Sequence, residues 1–230
     1  MHDHRSTLKA KDGPMPFILR LILPVMIVLS LSACQKAYYG AMEKVGVHKR
    51  DILVDRVGEA RDSQAEAKEE FASALERFAS VVNFDGGELQ AAYERLNASY
   101  EDCEDQADTV SDRIAKVEDV AEALFAEWEQ ELSLYSSAKL RNQSASQLRA
   151  TKREYDRMLS AMRKAEKTMF PVLDVLRDQV LFLKHNLNAR AVASIRTELA
   201  TVRRDVDSLI RQMESSIREA DQFISQMQKN

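Results

Sequence analysis

The chain has 230 residues, 30% charged and 7% aromatic, a mix that suits long solvent-exposed helices better than a thick globular core. Its net charge is −4, and because Arg5, Lys9, Lys11, Arg20, Asp3 and Asp12 all precede Cys34, 29 bases and 35 acids follow that cysteine. An acidic body lacks the basic face that displaces counterions from nucleic acid, which excludes general nucleic-acid binding.

Arg20 opens the first element. The apolar run Leu21–Leu31 follows it and leads into Leu31-Ser32-Ala33-Cys34. A positive charge, a short apolar stretch and small residues before the cut form a secretory signal, assigned to residues 1–33. The run is too short to cross a bilayer, which needs about 20 apolar residues, and Pro24 interrupts it. Residues 1–14 are polar, whereas Met15 begins a compact signal, so translation is expected to start at Met15. Leu31, Ser32, Ala33 and Cys34 together resemble the bacterial lipobox, in which the cysteine is lipidated and becomes the mature N-terminus. An ordinary anchor with an incidental cysteine is the plainer alternative. Gln35 stands where Asp would favour inner-membrane retention in the general lipoprotein sorting pattern. The resemblance therefore implies the outer membrane, with the body facing the periplasm. The three acyl chains it implies exceed the two that anchor stably.

Residues 34–48 read as a lipidated tether. Tyr38, Tyr39 and His48, with Lys49 and Arg50 just beyond it, are its distinctive part. They suit a tether that touches the end of the body. They equally suit a membrane-interface element, with tyrosine at headgroup level and Lys49 and Arg50 against lipid phosphates.

Residues 49–230 are expected to be helical almost throughout. No glycine follows Gly87, and the only proline after Pro24 is Pro171, so helix breakers are nearly absent. Stepping by four and three from Leu89 gives Tyr93, Leu96, Tyr100, Cys103, Ala107, Val110, Ile114, Val117, Ala121, Leu124 and Trp128, all apolar or aromatic. That is a coiled-coil period. Similar stripes run from Leu53 to Val81 with Gln64 as the polar exception, from Leu148 to Leu183, and from Ile195 to Met227 with Ser216 as the exception. Pro171 is expected to kink its helix without stopping it. Asn83-Phe84-Asp85-Gly86-Gly87 reads as a turn. Ser133–Gln147 and His185–Asn188 read as further joints. Four helices follow, at about 49–82, 89–134, 146–184 and 191–228, and an all-α, elongated antiparallel bundle or coiled coil buries their stripes.

Charge selects one pairing. Glu88–Glu131 carries 14 acids and three bases, and Arg141–Lys167 carries eight bases and three acids. A hairpin through the Ser/Asn/Gln joint lays these segments side by side.

Motifs for chemistry are missing. His48 and His185 lack the Glu-x-x-His spacing of carboxylate bundles, and no His-Glu-x-x-His, Gly-x-Ser-x-Gly or Gly-x-Gly-x-x-Gly occurs. No catalytic residue, metal site or cofactor is assigned. Cys103 and Trp128 fall on the seam and are expected in the core.

The tyrosines Tyr38 and Tyr39, the stretch Glu43–Val57 and Phe84-Asp85-Gly86-Gly87-Glu88-Leu89 with Tyr93, Leu96 and Asn97 resemble the domain-of-unknown-function family numbered 2959. The resemblance runs over the whole mature chain and implies a lipoprotein of Gram-negative bacteria. It implies no activity or substrate. The expected function is a non-enzymatic helical scaffold of the cell envelope, held to the membrane by its lipid and docking an envelope protein. A lipid-surface-binding module and an envelope hydrolase are the alternatives, and seams this regular also allow a homo-oligomer.

Overall fold

The computed structural model describes residues 46–82 and 89–229, together with Tyr39 and Met42. Two compact units divide the chain, Met1–Val47 and His48–Asn230. In the first, Tyr39 and Met42 are helical and Tyr39 is buried. The Val47 N–H donates to the Met42 carbonyl at 3.0 Å. Gly46 turns the chain with φ +84°, a conformation that costs glycine no clash. Leu31, Ser32, Ala33, Cys34, Gln35, Tyr38 and the Phe84–Gly87 turn lie outside the described residues.

The second unit is all-α among its described residues. Its helices are α1 (Lys49–Val82), α2 (Leu89–Glu131), α3 (Ala138–His185), α4 (Ala189–Arg196) and α5 (Leu199–Lys229), with one 3-10 turn at Leu132–Leu134. The four long helices run roughly 50–70 Å each at 1.5 Å per residue.

These four close a ring. Helix α1 packs on α2 and α5, and α3 packs on α2 and α5. Side-chain pairs show that every neighbour is antiparallel. Along α1 and α5, Arg61 meets Asp221 at 2.8 Å while Arg196, just before α5, meets the Val82 carbonyl at 2.9 Å. Along α2 and α3, Lys152 meets Glu129 at 2.5 Å while Arg163, further along, meets Glu118. The expected acidic–basic hairpin is thus the one observed.

The stripes face inward as the spacing predicts. Leu53, Val57, Ala60, Ala67, Phe71, Ala74, Phe78 and Val81 of α1 are fully buried. So are Met158, Met162, Ala165 and Met169 of α3 and Val206, Leu209, Met213 and Ala220 of α5. Burial of such side chains contributes about 1.5–3 kcal/mol each. Both polar exceptions, Gln64 and Ser216, are also fully buried.

The boundaries depart from expectation in two places. Helix α3 begins at Ala138, eight residues before the expected start. Ser137 has extended backbone and its hydroxyl accepts from the Leu140 N–H, which starts the helix early by satisfying an orphan donor. The last helix is divided. Asn188 caps α4 by accepting from the N–H groups of Arg190 and Ala191, and Thr197-Glu198 separates α4 from α5. Pro171 lies inside α3, which continues through it.

Arginines close two helix C-termini, where the last carbonyls have no partner within the helix. Arg196 donates to the Val82 carbonyl of α1, and Arg50 donates to the Met227 carbonyl of α5.

Candidate functional site

The last buried residue of α2 is Phe125 and the first of α3 is Leu148. Between them, residues 126–147 contain no buried side chain. The α2–α3 hairpin therefore overhangs the core at the end where α1 begins and α5 ends. Lys49 fixes the level of that end, since its Nζ lies 3.0 Å from Glu127 Oε1. From Glu127 to Leu134 the hairpin extends roughly 10 Å further.

Below the overhang the core is stoppered by aromatics. The Phe125 and Tyr155 rings meet edge to face with centroids 5.3 Å apart, and Tyr155 meets Phe223 at 6.3 Å. Such pairs contribute about 0.5–1.5 kcal/mol beyond the area they bury. The Lys152 ammonium sits 5.3 Å from the Phe125 ring centre. Burial raises the Tyr155 phenol well above its ordinary value, with Glu118 and Asp156 adding to the shift.

Above the stopper lies a cleft of about 200 Å³ bounded by Arg50, Trp128, Glu131, Gln147, Thr151 and Met227. It is smaller than the roughly 300–1,000 Å³ of typical small-molecule sites. Trp128 is half-buried here and not in the core as expected. Its indole N–H donates to Ser144 Oγ at 2.8 Å and latches the two arms of the overhang together. An indole N–H partly withdrawn from water needs a partner, and Ser144 of the opposite arm supplies it.

The residues proposed to meet the membrane separate into different environments. Tyr39 is buried and His48 is exposed. Lys49 and Arg50 are half-buried and engaged inside the bundle, with Glu127 and with the Met227 carbonyl. Their pairing turns both cations toward the protein. The apolar residues that do face solvent at this end are Leu134 at 80%, Leu140 at 52% and Tyr135 at 39% exposure. Sequence reading passed over them because the segment is rich in serine, asparagine and glutamine. A leucine on each side of a polar turn was the available signal.

Elsewhere the ion pairs tie helix to helix. Arg163 bridges Glu118 of α2 and Glu166 of its own helix. Glu59 receives Arg56 and Arg113, each at 2.7 Å. Burial alone would raise the Glu59 carboxyl, but the Arg56 hydrogen bond and the Arg56, Arg113 and Lys116 charges outweigh it and hold it below the ordinary value. These contacts belong to the bundle walls. Among the described residues, no cluster of histidine, cysteine and carboxylate side chains could hold a metal ion. No helix of the described residues is long and apolar enough to cross a membrane.

The family model for "Protein of unknown function (DUF2959)" matches residues 38–227. The chain belongs to this family. The DUF2959 match begins at Tyr38 and Tyr39, covers α1 to α4 and ends within the last turn of α5. No curated protein and no solved structure matches the chain.

Proposed function

We propose that this DUF2959 protein is an outer-membrane lipoprotein whose helical bundle serves as a non-enzymatic scaffold in the periplasm and docks a protein partner. Lipid on Cys34 supplies the anchor, and Gln35 directs it outward. The observation that carries the scaffold reading is the closed ring of four helices. Each long helix buries its stripe against two neighbours of the same chain, so the core is complete within one body. That supports a monomeric bundle that works through its ends and outer faces. At the end opposite the hairpin, Leu181 and Phe182 on α3 and Leu187 beyond it stay exposed. Apolar residues gathered at one end of a charged rod suit a protein contact.

Two measurements test the reading. Mass spectrometry of the N-terminal peptide is expected to find acyl chains on Cys34, and Cys34→Ala is expected to move the chain out of the membrane fraction. Photocrosslinkers placed at Leu181 and Phe182 in cells are expected to capture one envelope protein. Capture of nothing at either position, in a chain that is folded and anchored, would count against docking at that end. A bundle lying lengthwise on lipid receives less support, because Lys49 and Arg50 are engaged within the bundle.

A further inference from the structure

We propose that the tip of the α2–α3 hairpin, residues 132–141, rests in the headgroup layer of the membrane that carries the anchor, with Leu134, Tyr135 and Leu140 inserted and Lys139 and Arg141 against lipid phosphates. The proposal rests on the lipid anchor at Cys34 and adds a second contact with the same membrane.

Three observations converge on the tip. The first is position. His48 begins the bundle unit, and Lys49 is pinned to Glu127 at the hairpin end. The 14 residues from Gln35 to His48 reach at most about 50 Å when extended. The anchored membrane is therefore within reach of this end, and the hairpin is the part of the bundle that overhangs it. The opposite end lies a further helix length away, roughly 50 Å or more.

The second observation is apolar exposure without a partner. Leu134 is 80% exposed and Leu140 is 52% exposed. A single exposed leucine needs no explanation, but Leu134 and Tyr135 border one hollow and Leu140 is exposed in the first turn of α3, which puts three large apolar side chains on a short tip. The turn is well made and not a frayed end. Leu132–Leu134 forms a 3-10 turn, Ser137 caps α3, and Trp128 binds Ser144 across the arms. A rigid tip holds its apolar side chains outward at no further ordering cost. Tyrosine suits the water–lipid boundary because its ring is apolar and its hydroxyl stays wet.

The third observation is charge. From Leu132 to Arg153 the sequence has five bases (Lys139, Arg141, Arg149, Lys152, Arg153) and no acid, in a chain whose net charge is −4. Lys152 is held by Glu129. Lys139 and Arg141 are exposed beside Leu140. Glu131 borders Leu134 and Tyr135 on the α2 side, so the bases flank the apolar residues on the α3 side, and apolar residues beside bases are the composition that binds a surface of anionic phospholipid.

The test uses the full mature chain with its anchor, in vesicles of phosphatidylethanolamine and phosphatidylglycerol. Leu134→Cys, Leu140→Cys and, as the remote control, Phe182→Cys are labelled one at a time with a polarity-sensitive fluorophore. All three native side chains are exposed, so folding is preserved; Cys103 is buried, and with Cys34 lipidated, or replaced by alanine where its mass shows no lipid, the introduced thiol is the reactive one. Probes at Leu134 and Leu140 are expected to shift to the blue and to lose most of their emission to a spin label in the lipid headgroup, while the Phe182 probe does neither. Lys139→Gln with Arg141→Gln, or high salt, is expected to weaken the quenching. A Leu134 probe that stays in water on vesicle-bound protein overturns the proposal. So does a blue shift that lipid spin label leaves unquenched, which marks a protein or a second copy over the tip. Lipid on Cys34 is read separately by mass. A lipidated Cys34 without quenching removes the tip contact and leaves the anchor; quenching with an unmodified Cys34 does the reverse.

Discussion

Lys49 Nζ lies 3.0 Å from Glu127 Oε1, and the lysine side chain is only 11% exposed. The pair ties the first turn of α1 to the end of α2 at the level where the core stops. Arg50, the next residue, donates to the Met227 carbonyl of α5. Adjacent cations thus join three helices at one end of the bundle. In the sequence this basic pair suits a lipid surface and an end contact equally, because its partners lie 78 and 177 residues away.

The Lys49–Glu127 contact is half-sheltered, so it should contribute near the upper end of the exposed range. A double-mutant cycle with Lys49→Met and Glu127→Gln is expected to give a coupling of about 1 kcal/mol. Urea unfolding of the four proteins measures it. Zero coupling would mean that the contact only fills space.

Gly58 sits inside α1, and a Cβ there would meet nothing within 4 Å. Glycine within a helix costs about 0.5–1 kcal/mol relative to alanine. Gly58→Ala is therefore expected to stabilise the bundle by that amount and raise Tm by roughly 1–4 °C. Thermal unfolding followed by circular dichroism checks it. A lower Tm would show that a close neighbour needs the bare backbone.

Gln64 and Ser216 interrupt the core of α1 and α5. Both are fully buried, and Gln64 Oε1 and Ser216 Oγ have no hydrogen-bond partner. The Gln64 amide donates to the Met162 carbonyl across the bundle at 3.4 Å. Arg61 pairs with Asp221, which sets Gln64 and Ser216 about one turn further along the same antiparallel interface. An orphaned buried acceptor costs about 1–3 kcal/mol. Gln64→Leu is expected to stabilise the fold by about 1 kcal/mol, since the amide bond it loses offsets part of the gain. Destabilisation in urea would reveal a bound water that serves both groups.

The bundle was legible because its helices lack breakers and its stripes are long. Every residue read from the Leu53–Val81 and Leu148–Leu183 stripes is buried. What the four-three stepping omitted has one physical cause. A two-stranded coiled coil needs a narrow seam, whereas each helix here touches two neighbours and needs a wider one. Ile52, Ser63, Val120, Phe125 and Leu173 are buried for that reason. The early start of α3 was hidden because serine, asparagine and glutamine cost a helix only a few tenths of a kcal/mol each (about 0.7 at most). A single cap at Ser137 decides such a boundary. Trp128 lies in register with the seam but beyond the end of α1, so no neighbour remains to bury it. The overhang depends on where α1 starts relative to α2, and that alignment is a property of packing that no single segment encodes.

Cys103 is fully buried on α2. Burial first, and then the Glu70 and Asp102 charges, push its thiol up from 9.0 to about 12. Thiolate is the reacting form, so at pH 8 the folded protein holds roughly 1,000-fold less of it than an exposed cysteine does. Alkylation by iodoacetamide is expected to be negligible until the chain unfolds; prompt labelling would place the thiol at the surface. The same shift links folding to pH. Below pH 9 the thiol is protonated whether the chain is folded or not. Between the unfolded value near 9 and the folded value near 12, only the unfolded chain releases the proton. Stability is therefore full below pH 9 and falls by up to about 1.4 kcal/mol per pH unit as pH rises through that window. Cys103→Ala removes this term and leaves those of the other titrating groups. Its unfolding free energy is expected to be lower at pH 7 by about 1 kcal/mol for the lost packing, yet to decline less steeply above pH 9. Parallel slopes for the two proteins in alkaline urea titrations would show that the thiol does not keep its proton in the folded state.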